Sequence, residues 1–273
     1  SQSMPPGLDG SGDNADLAKK VSENSAESIV RLITDTDEVT IGLAIDSETG
    51  TPHLDFMITA VEGSTMATQM SGLQDATTKF SGFDIPDAAA RIAVASKLSQ
   101  SDIDQTTLIL NAVKQQALAE IDKDSSLPNA TVRDGAKEVL TSLIDVGVAT
   151  ISGGKIDASA TILVAPGSVQ FAAGSIVADG RTVESALKKL MELAKNEPGA
   201  PVIQFNASQH ENVDYHTMSV PLPPPAQAII GDNLDVVVGT GEKAVYLAFG
   251  QGASDLLTKI IDKSLADGDA STI

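Results

Sequence analysis

Two of the three histidines in this chain, His210 and His216, stand close together, with Glu211 and Asp214 between them. An imidazole beside carboxylates is the material of a metal site or of an acid–base pair. On an extended chain Asp214 and His216 share one face about 7 Å apart, which suits two ligands, or a base with its orienting carboxylate. At the same rise His210 lies roughly 20 Å from His216, so the two reach no common ion without a bend. A closed site needs further ligands, and the remaining histidine, His53, lies far away in sequence. A half-exposed strand face of ordinary polar residues is the plainer reading. No metal and no other cofactor is expected, and truncating His216 should change stability by no more than about 1 kcal/mol.

A second candidate is the run Gly250, Gln251, Gly252, Ala253 and Ser254, which joins an expected strand to an expected helix. Free backbone N–H groups at such a helix start attract anions. The plainer account makes Ser254 the N-cap, with Asp255 complementing the dipole in the first turn. Other matches fail on context. No Gly-x-Ser-x-Gly elbow, phosphate loop, His-Glu-x-x-His or Gly-x-Gly-x-x-Gly is present. Gly239 to Lys243 falls between two strands, where a glycine-rich turn is the ordinary need. Ser185 and Lys188 have the spacing of a penicillin-binding enzyme but lack its companion motifs. Asp9, Ser11, Asp13 and Asp16 lack the glycine and glutamate that complete a calcium loop.

The elements that must position these groups can be read from periodicity. Alternation predicts hairpins over 40–59 and 157–174, a strand over 89–98, strands over 202–207 and 213–220, and a hairpin over 234–249 turning at Gly239–Gly241. A 3.6-residue period predicts helices over 16–33, 101–121 (capped by Ser101), 131–146 (capped by Thr131), 182–195 and 254–265, with a short one after Gly63. The fold class that follows is α+β, mainly antiparallel sheets with packed helices. Hairpin, glycine-initiated helix and strand recur in the same order at 40–98 and 157–207, which suggests an internal duplication. The domain reading is a flexible linker or cloning remnant over 1–14, a first α+β unit over 15–146 that includes the helical pair 101–146, and a second over 147–273. The expected core is Ile41, Ile45, Phe56, Ile58, Ile162, Phe171, Leu190, Val245, Leu247, Phe249 and Ile260.

Composition narrows the function classes. Net charge is −19, with 37 acidic against 18 basic residues, so the chain repels phosphate backbones and no nucleic-acid partner is expected. No apolar run approaches the length of a bilayer, so no transmembrane segment is expected. There is no cysteine to form a disulfide, a zinc ribbon or a thiol nucleophile. Aromatic residues make up 3% of the chain, too few for a sugar-binding platform.

The hairpin over 39–58 followed by Glu62, Gly63 and Ser64, the step from Phe83 to Asp87, and the run from Gly231 through Val236 to Val245–Gly250 resemble uncharacterised exported proteins of planctomycete bacteria. That resemblance implies a cell-envelope location, with a signal peptide outside this chain, and it brings no catalytic residues. The reading drawn from the whole is a non-enzymatic extracytoplasmic binding or interaction module for a protein partner or a small apolar ligand. The alternative is a hydrolase whose carboxylates converge with His216 from dispersed positions. His210, Asp214, His216, Gly252 and Ser254 are the candidate site residues.

Overall fold

The computed structural model describes residues 29–30, 32–45, 52–73, 77–127, 129–195, 202–223, 227 and 233–267. The chain divides into two compact units, Ser1–Ala76 and Thr77–Ile273. The fold is α+β with antiparallel sheets.

In the first unit, β1 (Thr36–Ile45) and β2 (Pro52–Ala60) form a two-stranded sheet. Its register sets Val39 opposite Ile58 and Ile41 opposite Phe56, so the alternating apolar positions gather on one face. Helix α1 (Thr65–Leu73) follows, held to the base of β1 by Asp35, whose carboxylate accepts from the Met66 backbone N–H at 3.2 Å. Of the expected first helix, the described part is its end, helical at 29–30 and 32–35. The linker over 1–14 lies outside the described residues.

The second unit is built on a seven-stranded sheet. Its strands are β3 (Ala90–Lys97), β4 (Lys155–Ala165), β5 (Ser168–Ile176), β6 (Gln204–His210), β7 (Val213–Pro221), β8 (Asn233–Thr240) and β9 (Ala244–Phe249), in the order β3-β4-β5-β9-β8-β7-β6. Between β3 and β4 the chain makes a detour through the long antiparallel pair α2 (Gln100–Lys123) and α3 (Ala130–Ser152). Helix α4 (Gly180–Ala194) joins β5 to β6, and α5 (Ala253–Asp267) follows β9. The helical pair expected over 101–146 therefore stands inside this unit, and the sequence boundary at 146 falls within α3.

Helix starts differ from the expectation by two residues. Ser99, not Ser101, caps α2 in a reciprocal capping box with Asp102, and Asn129, not Thr131, caps α3. Ser99 and Asp102 repeat the same Ser-x-x-acid signature two residues upstream, and the earlier one completes both hydrogen bonds.

The core lies on one face of the large sheet, beneath α5. Ala172, Ala248, Val237, Val213, Tyr215 and Tyr246 form the sheet side, and Leu257, Ile260 and Ile261 of α5 close over them. Two rings arrive from the segment before β3. Asp157, buried on β4, accepts from the Thr78 hydroxyl and the Lys79 N–H, both at 2.7 Å, and so fixes the chain entering Phe80. Phe80 then meets Phe83 and Tyr246 edge to face, with centroids 5.9 and 5.8 Å apart. This layer tolerates little addition. A Cβ on Gly174 would stand 2.9 Å from both the Phe80 and the Tyr246 ring, and one on Gly82 would stand 2.0 Å from the Ile260 carbonyl oxygen.

Most of the expected core lies elsewhere. Ile260 is buried, but Ile41 and Ile45 are 68% and 70% exposed, and Ile162, Leu190 and Leu247 are exposed as well. Ile58, Phe171, Val245 and Phe249 are half-buried, and the Phe56 side chain lies outside the described residues. The reason is geometric: Ile162, Phe171, Val245, Leu247 and Phe249 all point to the face of the sheet opposite α5. The internal duplication is not supported either. The β1–β2 hairpin is a sheet of its own, whereas β4 and β5 are interior strands, and β3 pairs with β4 rather than with β2.

Candidate functional site

Strand alternation places Ile92 and Val94 of β3, Ala158 and Ala160 of β4, Ala173 of β5, Val245 and Leu247 of β9 and Val238 of β8 on the face away from α5. Helix α4 crosses part of this face with Val183 and Leu187, one helical turn apart. Between them lies an open groove of about 530 Å³, lined almost wholly by apolar side chains. Its floor is low along β4 and β5 because alanines sit there. Taller side chains stand at its rims, and those on the β3 side are open to solvent, Ile92 at 68% and Val94 at 47%.

Beyond α4, on the same face, the sheet turns polar. Arg181 bonds Asp214 of β7, and it reaches Glu184 at 3.1 Å, while Lys188 holds the other Glu184 oxygen at 2.5 Å. Gln209 donates to the second Asp214 oxygen at 2.8 Å. Burial pushes the Asp214 and Glu184 carboxyls up, but the hydrogen bonds from Arg181, Gln209 and Lys188 outweigh it and hold both below the usual range. Lys188 also stands 5.7 Å over the Phe205 ring. Each charge in this chain of groups already has its opposite.

His216 sits against that network and is 2% exposed, not half-exposed as its sequence suggested. The Asn206 backbone N–H donates to its Nδ1 at 3.1 Å, which makes Nδ1 an acceptor. The ring proton is therefore on Nε2, directed at the Thr240 hydroxyl 2.8 Å away. Burial pushes the imidazole below its ordinary value, so it stays neutral. Asp214 and His216 do share a face of β7, but their atoms are committed to Arg181, Gln209, Asn206 and Thr240. Both ring nitrogens are taken up, so His216 serves to fix β6, β7 and β8 together.

His210 belongs to a different place. It ends β6 and meets Asp262 of α5, Nε2 to Oδ1, at 2.6 Å. Among the described residues, His210, Glu211 and Asp262 offer ligand atoms that all lie within 4.8 Å of one another. Gly252 and Ser254 flank the start of α5, which begins at Ala253, so Ser254 lies inside the helix and is not its cap. Gly252 takes φ +75° and its carbonyl accepts from the Leu256 N–H at 3.0 Å. It lines a separate cavity of about 420 Å³ with Gln170, Asp255, Leu256 and Lys259. Gly239 to Gly241 form the end of a hairpin turn, with the Gly241 N–H donating to Ala244 at 2.9 Å.

Sequence reasoning passed over the groove and Asp262. The Val183 and Leu187 stripe was visible at helical spacing, but the alanines that shape the floor carry no signal of their own. No helix among the described residues is long and apolar enough to cross a membrane. No protein-family model, curated protein or solved structure matches this chain.

Proposed function

We propose that the second unit binds a single apolar chain of the acyl or alkyl kind in the groove beneath α4, and that the protein is a non-enzymatic binding module working outside the cytoplasm. The groove carries the ligand class; the exported location rests on the sequence resemblance alone. Five neighbouring strands, β3 to β8, line the groove. At the usual strand spacing it runs about 19 Å across the sheet, long enough for an acyl chain of about fifteen carbons. Ligand sites of this size and apolarity are the ordinary lodging of small molecules. With no charged side chain in the lining among the described residues, the head group stays at the mouth in water. Burying about ten methylenes contributes about 8 kcal/mol before ordering costs.

The test fills the floor. Ala160→Trp should abolish binding of a fluorescent fatty acid while leaving the circular dichroism spectrum unchanged, and native mass spectrometry of the parent should reveal a bound lipid. Equal binding by the parent and Ala160→Trp would overturn the proposal, as would no binding by either. A peptide or protein bound in place of the lipid would do the same.

A further inference from the structure

We infer that His210, Glu211 and Asp262 form a binding site for a divalent transition metal of the zinc class, joining the β6–β7 turn to α5. This site is distinct from the groove and does not depend on it. One imidazole and two carboxylates are a donor set that zinc accepts, with water in the remaining position. The two carboxylates balance the ion's charge, and the field of a chain at −19 draws cations towards it.

The frame around the donors is rigid. His210 pairs with Val213, which is 0% exposed, and Tyr215 on the same strand bonds Thr258 of α5 at 3.1 Å. Asp262 directly follows Ile260 and Ile261, at 1% and 0% exposure, so its backbone cannot drift. Glu211 and Asn212 make the two-residue turn with φ of 48° and 63°. Such turns favour Asn-Gly, so a glutamate there is held against preference. Zinc–oxygen and zinc–nitrogen bonds of about 2.1 Å set tetrahedral donors about 3.4 Å apart. The present donors lie within 4.8 Å, with His210 Nε2 and Asp262 Oδ1 at 2.6 Å. Seating an ion thus requires the acidic side chains, which are exposed, to shift by about 1 Å, while the backbone stays in place.

The experiment uses the full chain without a histidine tag, stripped with chelator, since only three histidines are present. Calorimetric titration with zinc should show one equivalent bound, and zinc should raise the melting temperature by several degrees, roughly as one-site linkage requires. Magnesium should do neither. Cobalt should give visible d–d bands. Asp262→Asn and His210→Gln, each checked for an unchanged circular dichroism spectrum, should lose the equivalent and the bands. No zinc binding by the parent would overturn the site. Undiminished binding in both variants would also overturn it, by placing the ion on other carboxylates.

Discussion

The two faces of the seven-stranded sheet reverse the ordinary order of hydrophobicity. The face under α5 sets small residues, Ala172, Gly174, Gly239 and Ala248, among Val213, Tyr215, Val237 and Tyr246, and it holds the core. The opposite face carries Ile92, Val94, Ile162, Val164 and Leu247, and each of them is exposed. Burial here is decided by what arrives to cover a face, not by how apolar the face is. Small residues leave room for Phe80, Phe83 and the α5 side chains to descend between strands, and close packing follows. On the other face alanines flanked by larger side chains, with only α4 above them, leave a trench.

The contrast between the faces is greatest at Phe83. Phe83→Ala removes a ring that is 0% exposed and should cost about 3–5 kcal/mol in urea unfolding. A loss no larger than that at Ile92 would mean the two faces had been assigned the wrong way round. His216→Ala should come next, at about 1–3 kcal/mol, because it removes a buried ring, leaves the Thr240 hydroxyl buried without its partner and takes from the Asn206 N–H its acceptor. The same residue sets a pH dependence. Its folded pKa lies below its ordinary 6.5, so the unfolded chain binds the extra proton. The stability that neutral His216 contributes is present above that value and is lost as pH falls beneath it. Depressed Asp214 and Glu184 add further loss at still lower pH, as they protonate below their ordinary 3.8 and 4.5. Unfolding free energy should therefore fall from pH 7 to pH 5 in the parent and by less in His216→Ala. The smallest effect belongs to the open face. Ile92→Thr should change stability by less than about 1 kcal/mol while weakening fatty-acid binding; a larger loss would show the groove to be covered core.

Much of the fold was legible because alternation is a property of short stretches: the hairpins at β4–β5 and β8–β9, the α4 helix and the long helical pair all stand where their periodicity placed them. Which side of a strand faces the core was not. Period two identifies two sets of residues, and choosing the more apolar set picked Leu247 over Tyr246 and Phe171 over Ala172. Similarly, Asp214 and His216 were correctly set on one face, but nothing local reveals that Arg181 and Thr240 would occupy them. Asp262 reaches His210 from 52 positions away, a pairing that only the tertiary fold creates.

The core closes with parts from opposite ends of its unit. The Gly82 N–H bonds the Ser264 hydroxyl at 3.0 Å, across 182 positions of chain. At ordinary synthesis speeds of about 5–20 residues per second, that separation amounts to roughly 10–40 s on the ribosome. During that interval the strands are made one after another behind Phe80 and Phe83, while their covering helix has yet to be made. The sheet can pair, but its inner face has no lid. A growing chain of this kind keeps apolar surface open until α5 is made, as would one that ends before Ala253, and surface of that kind favours aggregation.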